Sequence, residues 1–315
     1  MTPFRRFAWL VVGYHVAIVL WGAFVRATGS GAGCGSHWPL CNGDVVPRAP
    51  AIQTIIEYTH RVTSGVALVL VGALVAWAFA RFPKDHAVRK AAVTSAVLLL
   101  VEAALGAGLV LFGWVAGDTS VGRGWVVAIH LCNTFLLLGA LAVTAEVAGR
   151  PRGLELYGRG SLAAAFGLCL ATLLVSGATG AVAALGDTLY PSISFAEGLR
   201  QELEAGAPLL LRLRMVHPFA AVAGSIVVGV CARAALRARP TPRVRSLASA
   251  LLGLVTLQLL TGAANVALLA PLALQLVHLA LADAVWLVTV VLAAEVLAPG
   301  AVPMQHTPVP AAAQG

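Results

Sequence analysis

Eight long apolar runs punctuate the chain, and they limit what it can fold into more than any other feature. They lie at roughly 7–26, 55–80, 91–113, 124–148, 160–184, 211–234, 246–269 and 272–297. Each is near the ~20 residues that carry an α-helix across the hydrocarbon of a bilayer. With 59% hydrophobic and only 11% charged residues, and a mean hydropathy of +0.89, the 315 residues read as an all-α integral membrane protein of eight transmembrane helices.

The net charge of +8 would suit a nucleic-acid partner, but the placement of the cations argues for none. Arg5, Arg6, Arg81, Lys84, Arg89, Lys90, Arg150, Arg152, Arg159, Arg233, Arg237, Arg239, Arg243 and Arg245 all fall on one side of the membrane if the helices alternate. That is fourteen of the 21 basic residues. The positive-inside rule then predicts a multi-pass protein with both termini in the cytoplasm. A cleaved signal peptide over residues 1–30 is set aside, because the first run has a counterpart at 160–184.

The pattern restarts after a charged Pro/Gly-containing linker at 149–159. Glu57-Tyr-Thr-His60 aligns with Arg214-Met-Val-His217, and Glu102-Ala-Ala-Leu-Gly106 with Gln258-Leu-Leu-Thr-Gly262. Ala128-Ile-His130-Leu aligns with Leu-Val-His278-Leu, and both runs end in Glu-Val, at Glu146 and Glu295. The expectation is two tandem four-helix bundles, 1–150 and 151–300, related by a pseudo-two-fold axis along the membrane normal. The Pro/Ala-rich tail, 301–315, is expected to be disordered.

His60, His130, His217 and His278 lie on the second, fourth, sixth and eighth runs, each roughly six residues in. Six residues are about 9 Å of helix, so the four share one depth, near the outer face. Two imidazoles on different helices at equal height can approach one iron from opposite faces of a flat macrocycle, and a four-helix interior is a place for such a cofactor. Zinc fits less well, since no third nitrogen, thiolate or carboxylate cluster completes a tetrahedron in each half. A structural role for matched histidines is the bland alternative. Glu57, one turn before His60, is either a catalytic carboxylate or a helix end in the headgroups. Its counterpart Arg214 cannot do that work but can pair with a haem propionate, as can Arg61. Glu102, near mid-membrane, is either a functional acid or a hydrogen-bonded bundle group, and His15 reads as a bundle residue. Cys34 and Cys41, in a Gly-rich outer loop with Trp38-Pro39 between them, read as a disulfide, with two free thiols as the alternative.

Gly29-Ser-Gly with Cys34, Trp38-Pro-Leu-Cys41-Asn-Gly43, Glu57-Tyr-Thr-His60-Arg61 and the four histidines together resemble the bacterial haem A synthase family, over nearly the whole chain. The resemblance implies an oxidoreductase of the bacterial cell membrane that converts haem O to haem A, oxidising a ring methyl to a formyl group for cytochrome oxidase. It implies haem b on His217 and His278, the substrate haem on His60 and His130, and Glu57 as the essential acid. It also implies haem O as substrate, haem O synthase (a farnesyltransferase) as a candidate partner, and an electron partner the residues do not name. The second cysteine pair of some family members is missing from the loop at 185–210, so one outer disulfide at most is expected. Glu102 stands where an uncharged polar residue is expected. A di-haem cytochrome that only passes electrons would explain the histidines but not Glu57 facing Arg214. A two-repeat transporter would spread polar residues along a path through the membrane, whereas here they cluster near one face.

Overall fold

The computed structural model describes residues 1–150 and 160–298. The linker from 151 and the tail from 299 lie outside the described residues. The helices are α1 (Pro3–Ala27), α2 (Ile52–Arg81), α3 (Ala87–Leu111), α4 (Val121–Val147), α5 (Gly160–Leu189), α6 (Phe195–Leu203), α7 (Leu209–Leu213), α8 (Val216–Ala238), α9 (Pro242–Ala267) and α10 (Leu272–Leu297). Among the described residues eight spans are long and apolar enough to cross a membrane, with α7 and α8 forming the sixth, Leu209–Ala238. The chain is a multi-pass, all-helical membrane protein, as its apolar runs require.

Local chemistry explains the helix ends. Thr2, Ser120 and Thr241 cap α1, α4 and α9 by accepting from the backbone N–H three residues on, and Pro3 and Pro242 open their helices where no donor is needed. The sixth span breaks at Arg214–Met215. Pro218 has no N–H for the carbonyl of Arg214 and its ring crowds it, so His217 N bonds Arg214 O instead, at 3.4 Å. α3 and α9 end in the same wrapped turn. Trp114 N donates to Leu109 O at 2.8 Å, and Ala270 N to Asn265 O at 2.7 Å. The left-handed position is Gly113 (φ 68°) in the first turn but Leu269 (φ 60°) in the second, where the side chain costs about 1–2 kcal/mol.

α1 packs on α2 and α4, α2 on α3, and α3 on α4. Likewise α5 packs on α8 and α10, α8 on α9, and α9 on α10. The two groups meet where α4 lies against α5 and α10, and α4 and α10 are the most buried spans. Phe135 stacks on Trp286 there, with ring centroids 5.3 Å apart, beside Leu138, Ala142 and Val290. At the end away from the disulfide loop, Glu146 takes Arg5 at 2.8 Å and Arg243 at 2.8 Å, while Glu295 takes Arg150 at 3.0 Å and Arg243 at 3.2 Å. Arg243 thus bridges the closing acids of α4 and α10. At the loop end Arg26 of α1 does similar work, donating to Ala184 O (2.6 Å) and Thr188 Oγ1 (2.7 Å) of α5 and to Gln275 Oε1 (3.2 Å) of α10.

Candidate functional site

The head of α2 and the loop before it form one unit. Cys34 and Cys41 are bridged. Glu57 is buried, and its carboxylate turns toward that loop. Oε2 accepts from Cys34 N at 2.8 Å, and Oε1 accepts from Nε of Arg61 at 3.1 Å and from its Nη2. Arg61 reaches on with Nη1 to the carbonyls of His37 and Leu40, both at 2.7 Å, and Thr54 Oγ1 donates to Gly33 O at 2.7 Å. Arg214, the counterpart of Glu57, pairs with Asp187 at 3.0 Å and with Glu202. Both arginines named as propionate or site-lining candidates are therefore engaged by carboxylates of the chain.

The four histidines stand deeper. His60, His130 and His278 are the ninth, tenth and seventh residues of α2, α4 and α10, and His217 is the ninth of the span from Leu209. Each ring faces a glycine on a preceding helix. A Cβ added to Gly22 of α1 would stand 3.2 Å from Cε1 of His60, and one on Gly106 of α3 would stand 3.6 Å from that of His130. On Gly180 of α5 it would stand 3.0 Å from Cε1 of His217, and on Gly262 of α9 3.1 Å from that of His278. At His60, His217 and His278 a side chain on the facing residue would crowd the ring, whereas beside His130 a Cβ would make ordinary contact.

His217 and His278 face each other, with ring centroids 6.3 Å apart and planes at 88°. Two metal–nitrogen bonds of about 2 Å end to end, plus the two ring radii, span roughly 6 Å. The centroid spacing of the pair is the one that a single iron between two imidazoles would need. Thr179 Oγ1 lies 3.3 Å from Nδ1 of His217, and Thr261 Oγ1 lies 3.1 Å from Nδ1 of His278. In the first group of helices Nδ1 of His60 and Nδ1 of His130 are buried without a partner. Nε2 of His130 lies 3.0 Å from Glu102 Oε1, and Glu102 also accepts from Asn133 and Thr134, the two residues that share a face with His130. His15 bonds Val11 O through Nδ1 at 2.8 Å, as expected for a bundle residue.

Sequence reasoning passed over several of these groups. The glycines carry a signal, because each is followed by alanine: Gly22-Ala23, Gly106-Ala107, Gly180-Ala181 and Gly262-Ala263. Thr179 and Thr261 stand just before two of them. Asp283 of α10 is fully buried with both carboxylate oxygens unpartnered, a mid-membrane acid with no histidine at its side to draw attention to it.

A family model, COX15-CtaA, described as cytochrome oxidase assembly protein, matches residues 5–290. The chain is 48% identical over 295 residues to a "Protoheme IX farnesyltransferase" of Thermus thermophilus, covering 94% of this chain and 48% of that protein. It is 36% identical over 159 residues to a "Heme A synthase" of Halalkalibacterium halodurans, 50% of this chain and 53% of that one. It is 43% identical over 96 residues to a "Heme A synthase" of Alkalihalophilus pseudofirmus, 30% and 32% of the two chains. The chain spans about half the length, or less, of these curated relatives.

Proposed function

Since this chain belongs to the COX15-CtaA family of cytochrome oxidase assembly proteins, the haem A synthase family, we propose that it is a membrane oxidoreductase converting haem O to haem A. The observation that carries this reading is the set of four histidines, three of them in a space left by a glycine, with one pair spaced for an iron. In this reading residues 1–150 and 151–300 are two four-helix units related by a pseudo-two-fold axis. His217 and His278 hold a resident haem b, and His60 and His130 hold the substrate haem. Both termini are cytoplasmic and the haem sites lie near the outer face.

A haem bound between histidines supplies redox chemistry at its iron. The chain's own residues do the rest. The glycines on α1, α5 and α9 leave room for the rings of His60, His217 and His278. Glu57 is the proposed acid. It lies one turn from His60 on α2, and a buried carboxylate stabilises positive charge or takes a proton more effectively than one in water. Glu102 holds Nε2 of His130 when no haem is bound.

The farnesyltransferase name belongs to proteins about twice the length of the match. We take that name to describe the part this chain does not cover. Farnesylation and methyl oxidation then sit side by side in those relatives, and a haem O synthase is the proposed partner here. The test is pigment extraction from membranes expressing this chain with a source of haem O. A formyl-bearing haem in the extract is expected. Haem O left unchanged, with the protein present and carrying b-type haem, would leave an electron-passing cytochrome in its place.

A further inference from the structure

The imidazole nitrogen that faces away from a bound iron sets the ring's tautomer and how firmly the ligand holds. The two groups of helices differ at this atom. Thr179 already donates its hydroxyl proton within α5, with Val175 O and Ser176 O both 3.0 Å away. Thr261 does the same in α9, with Leu257 O and Gln258 O both 3.0 Å away. A hydroxyl has one proton and two lone pairs. With the hydroxyl proton directed to the helix carbonyls, a lone pair faces Nδ1 of His217 or His278, and for His217 the Ser176 carbonyl is a second acceptor. The arrangement suits Nδ1 as the N–H, with the Nε2 lone pair left for an iron. Gln258 stands beside the same ring, its amide nitrogen 3.2 Å from Nε2 of His278, an orientation that suits donation to that nitrogen.

The corresponding positions before Gly22 and Gly106 are Trp21 and Leu105. An indole is a donor only and a leucine is neither donor nor acceptor, so neither can accept from an imidazole. Nδ1 of His60 and of His130 are left buried and unpartnered. Nε2 of His130 faces a carboxylate oxygen of Glu102 at 3.0 Å, where Nε2 of His278 faces the amide of Gln258.

We propose that Thr179 and Thr261 are positioning residues that pin the Nδ1–H tautomer of His217 and His278, making that pair a site of haem retention, whereas the unpinned His60 and His130 form a site that lets its haem go. The proposal rests on the haem-site reading above and adds what separates the resident site from the exchanging one.

The experiment uses the full chain, purified with its b-type haem, as wild type and as Thr179→Val, Thr261→Val and the two serine variants. Valine keeps the shape and removes the hydroxyl; serine restores it. Transfer of haem to excess apomyoglobin gives the release rate, and optical redox titration gives the midpoint potential. Loss of such a partner weakens metal binding about 10- to 100-fold, so each valine variant is expected to release haem at least about tenfold faster. Its midpoint should rise, by about 59 mV for each tenfold by which ferric binding weakens more than ferrous. The serine variants should return to wild-type behaviour. Valine variants with wild-type release and potential would overturn the role of the threonines. A wild-type protein that purifies without b-type haem under haem supply would overturn the haem-site reading itself.

Discussion

Glu57→Gln separates chemistry from loop anchoring, and the structure sets the size of the anchoring effect. The carboxylate accepts three hydrogen bonds, from Cys34 N and from Nε and Nη2 of Arg61. Glutamine keeps one accepting oxygen and turns an NH2 toward Cys34 N–H or Arg61, donor against donor. Removing one partner of a buried ion pair costs about 3–5 kcal/mol. Here Arg61 keeps the carbonyls of His37 and Leu40, and the disulfide and the Thr54–Gly33 bond also remain, so the lower figure of about 2–3 kcal/mol for lost charged hydrogen bonds applies. That is roughly a 30- to 150-fold rise in the open population of the 28–51 loop. Hydrogen exchange of the loop amides in membranes reads this directly, and pigment extraction reads the product. Glu57→Gln is expected to loosen the loop by that factor, to keep its resident haem, and to make little haem A or stall at a partly oxidised intermediate. Arg61→Lys is the control. It keeps a positive charge beside Glu57 but loses the fork that reaches the loop carbonyls, so it should loosen the loop while haem A persists. Near-normal haem A from Glu57→Gln would refute the chemical role. So would an Arg61→Lys variant that loses haem A as completely as Glu57→Gln, because the acid would then act only through the loop.

His217→Ala or His278→Ala should remove the resident b-type spectrum, whereas His60→Ala or His130→Ala should keep much of it and abolish haem A; the reverse pattern in membrane spectra would exchange the two sites. Gly180→Ala and Gly262→Ala place a Cβ 3.0–3.1 Å from a histidine ring and should reduce b-type haem content severalfold, while Gly72→Ala, with nothing within 4 Å, should not change it. Glu102→Gln gives His130 an amide like the one beside His278 and should raise the amount of haem co-purifying with the protein; an unchanged haem-to-protein ratio counts against a competing role for Glu102. Cys34 and Cys41 should resist a membrane-impermeant thiol probe added from outside until a reductant is supplied, and a reporter fused after Gly315 should be active only in the cytoplasm.

The fold was legible because a membrane leaves so few options. Apolar length alone located all eight spans, with ends displaced by a few residues where a cap decided them, as at Thr2 and Thr241. The break at Arg214–Met215 was written in Pro218 but hidden by the apolar run around it. The histidines were legible as a set because they recur at matched depth. Their orientation was not, because it depends on which residue faces each ring across a helix pair. That residue is a glycine, which contributes only by absence, or a threonine, whose hydroxyl is indistinguishable in sequence from the many that back-bond within their own helix.

Glu57 and Arg214 carry opposite charges one turn ahead of His60 and His217, and the structure gives them like tasks. Glu57 gathers the disulfide loop through Cys34 and Arg61. Arg214 gathers the end of α5 and the helix α6 through Asp187 and Glu202. Either sign anchors a loop to a helix head, so the charge at this position has a packing reason of its own. A second difference lies deeper, where Glu102 and Gln258 occupy matching places beside His130 and His278. An amide that donates to Nε2 leaves its lone pair intact, and an iron has only to displace a neutral partner. A carboxylate that accepts from Nε2 keeps a proton on the atom the iron needs. If His130 holds the exchanging haem, as proposed, ligation requires the ring to leave Glu102, and the carboxylate would receive it again on release.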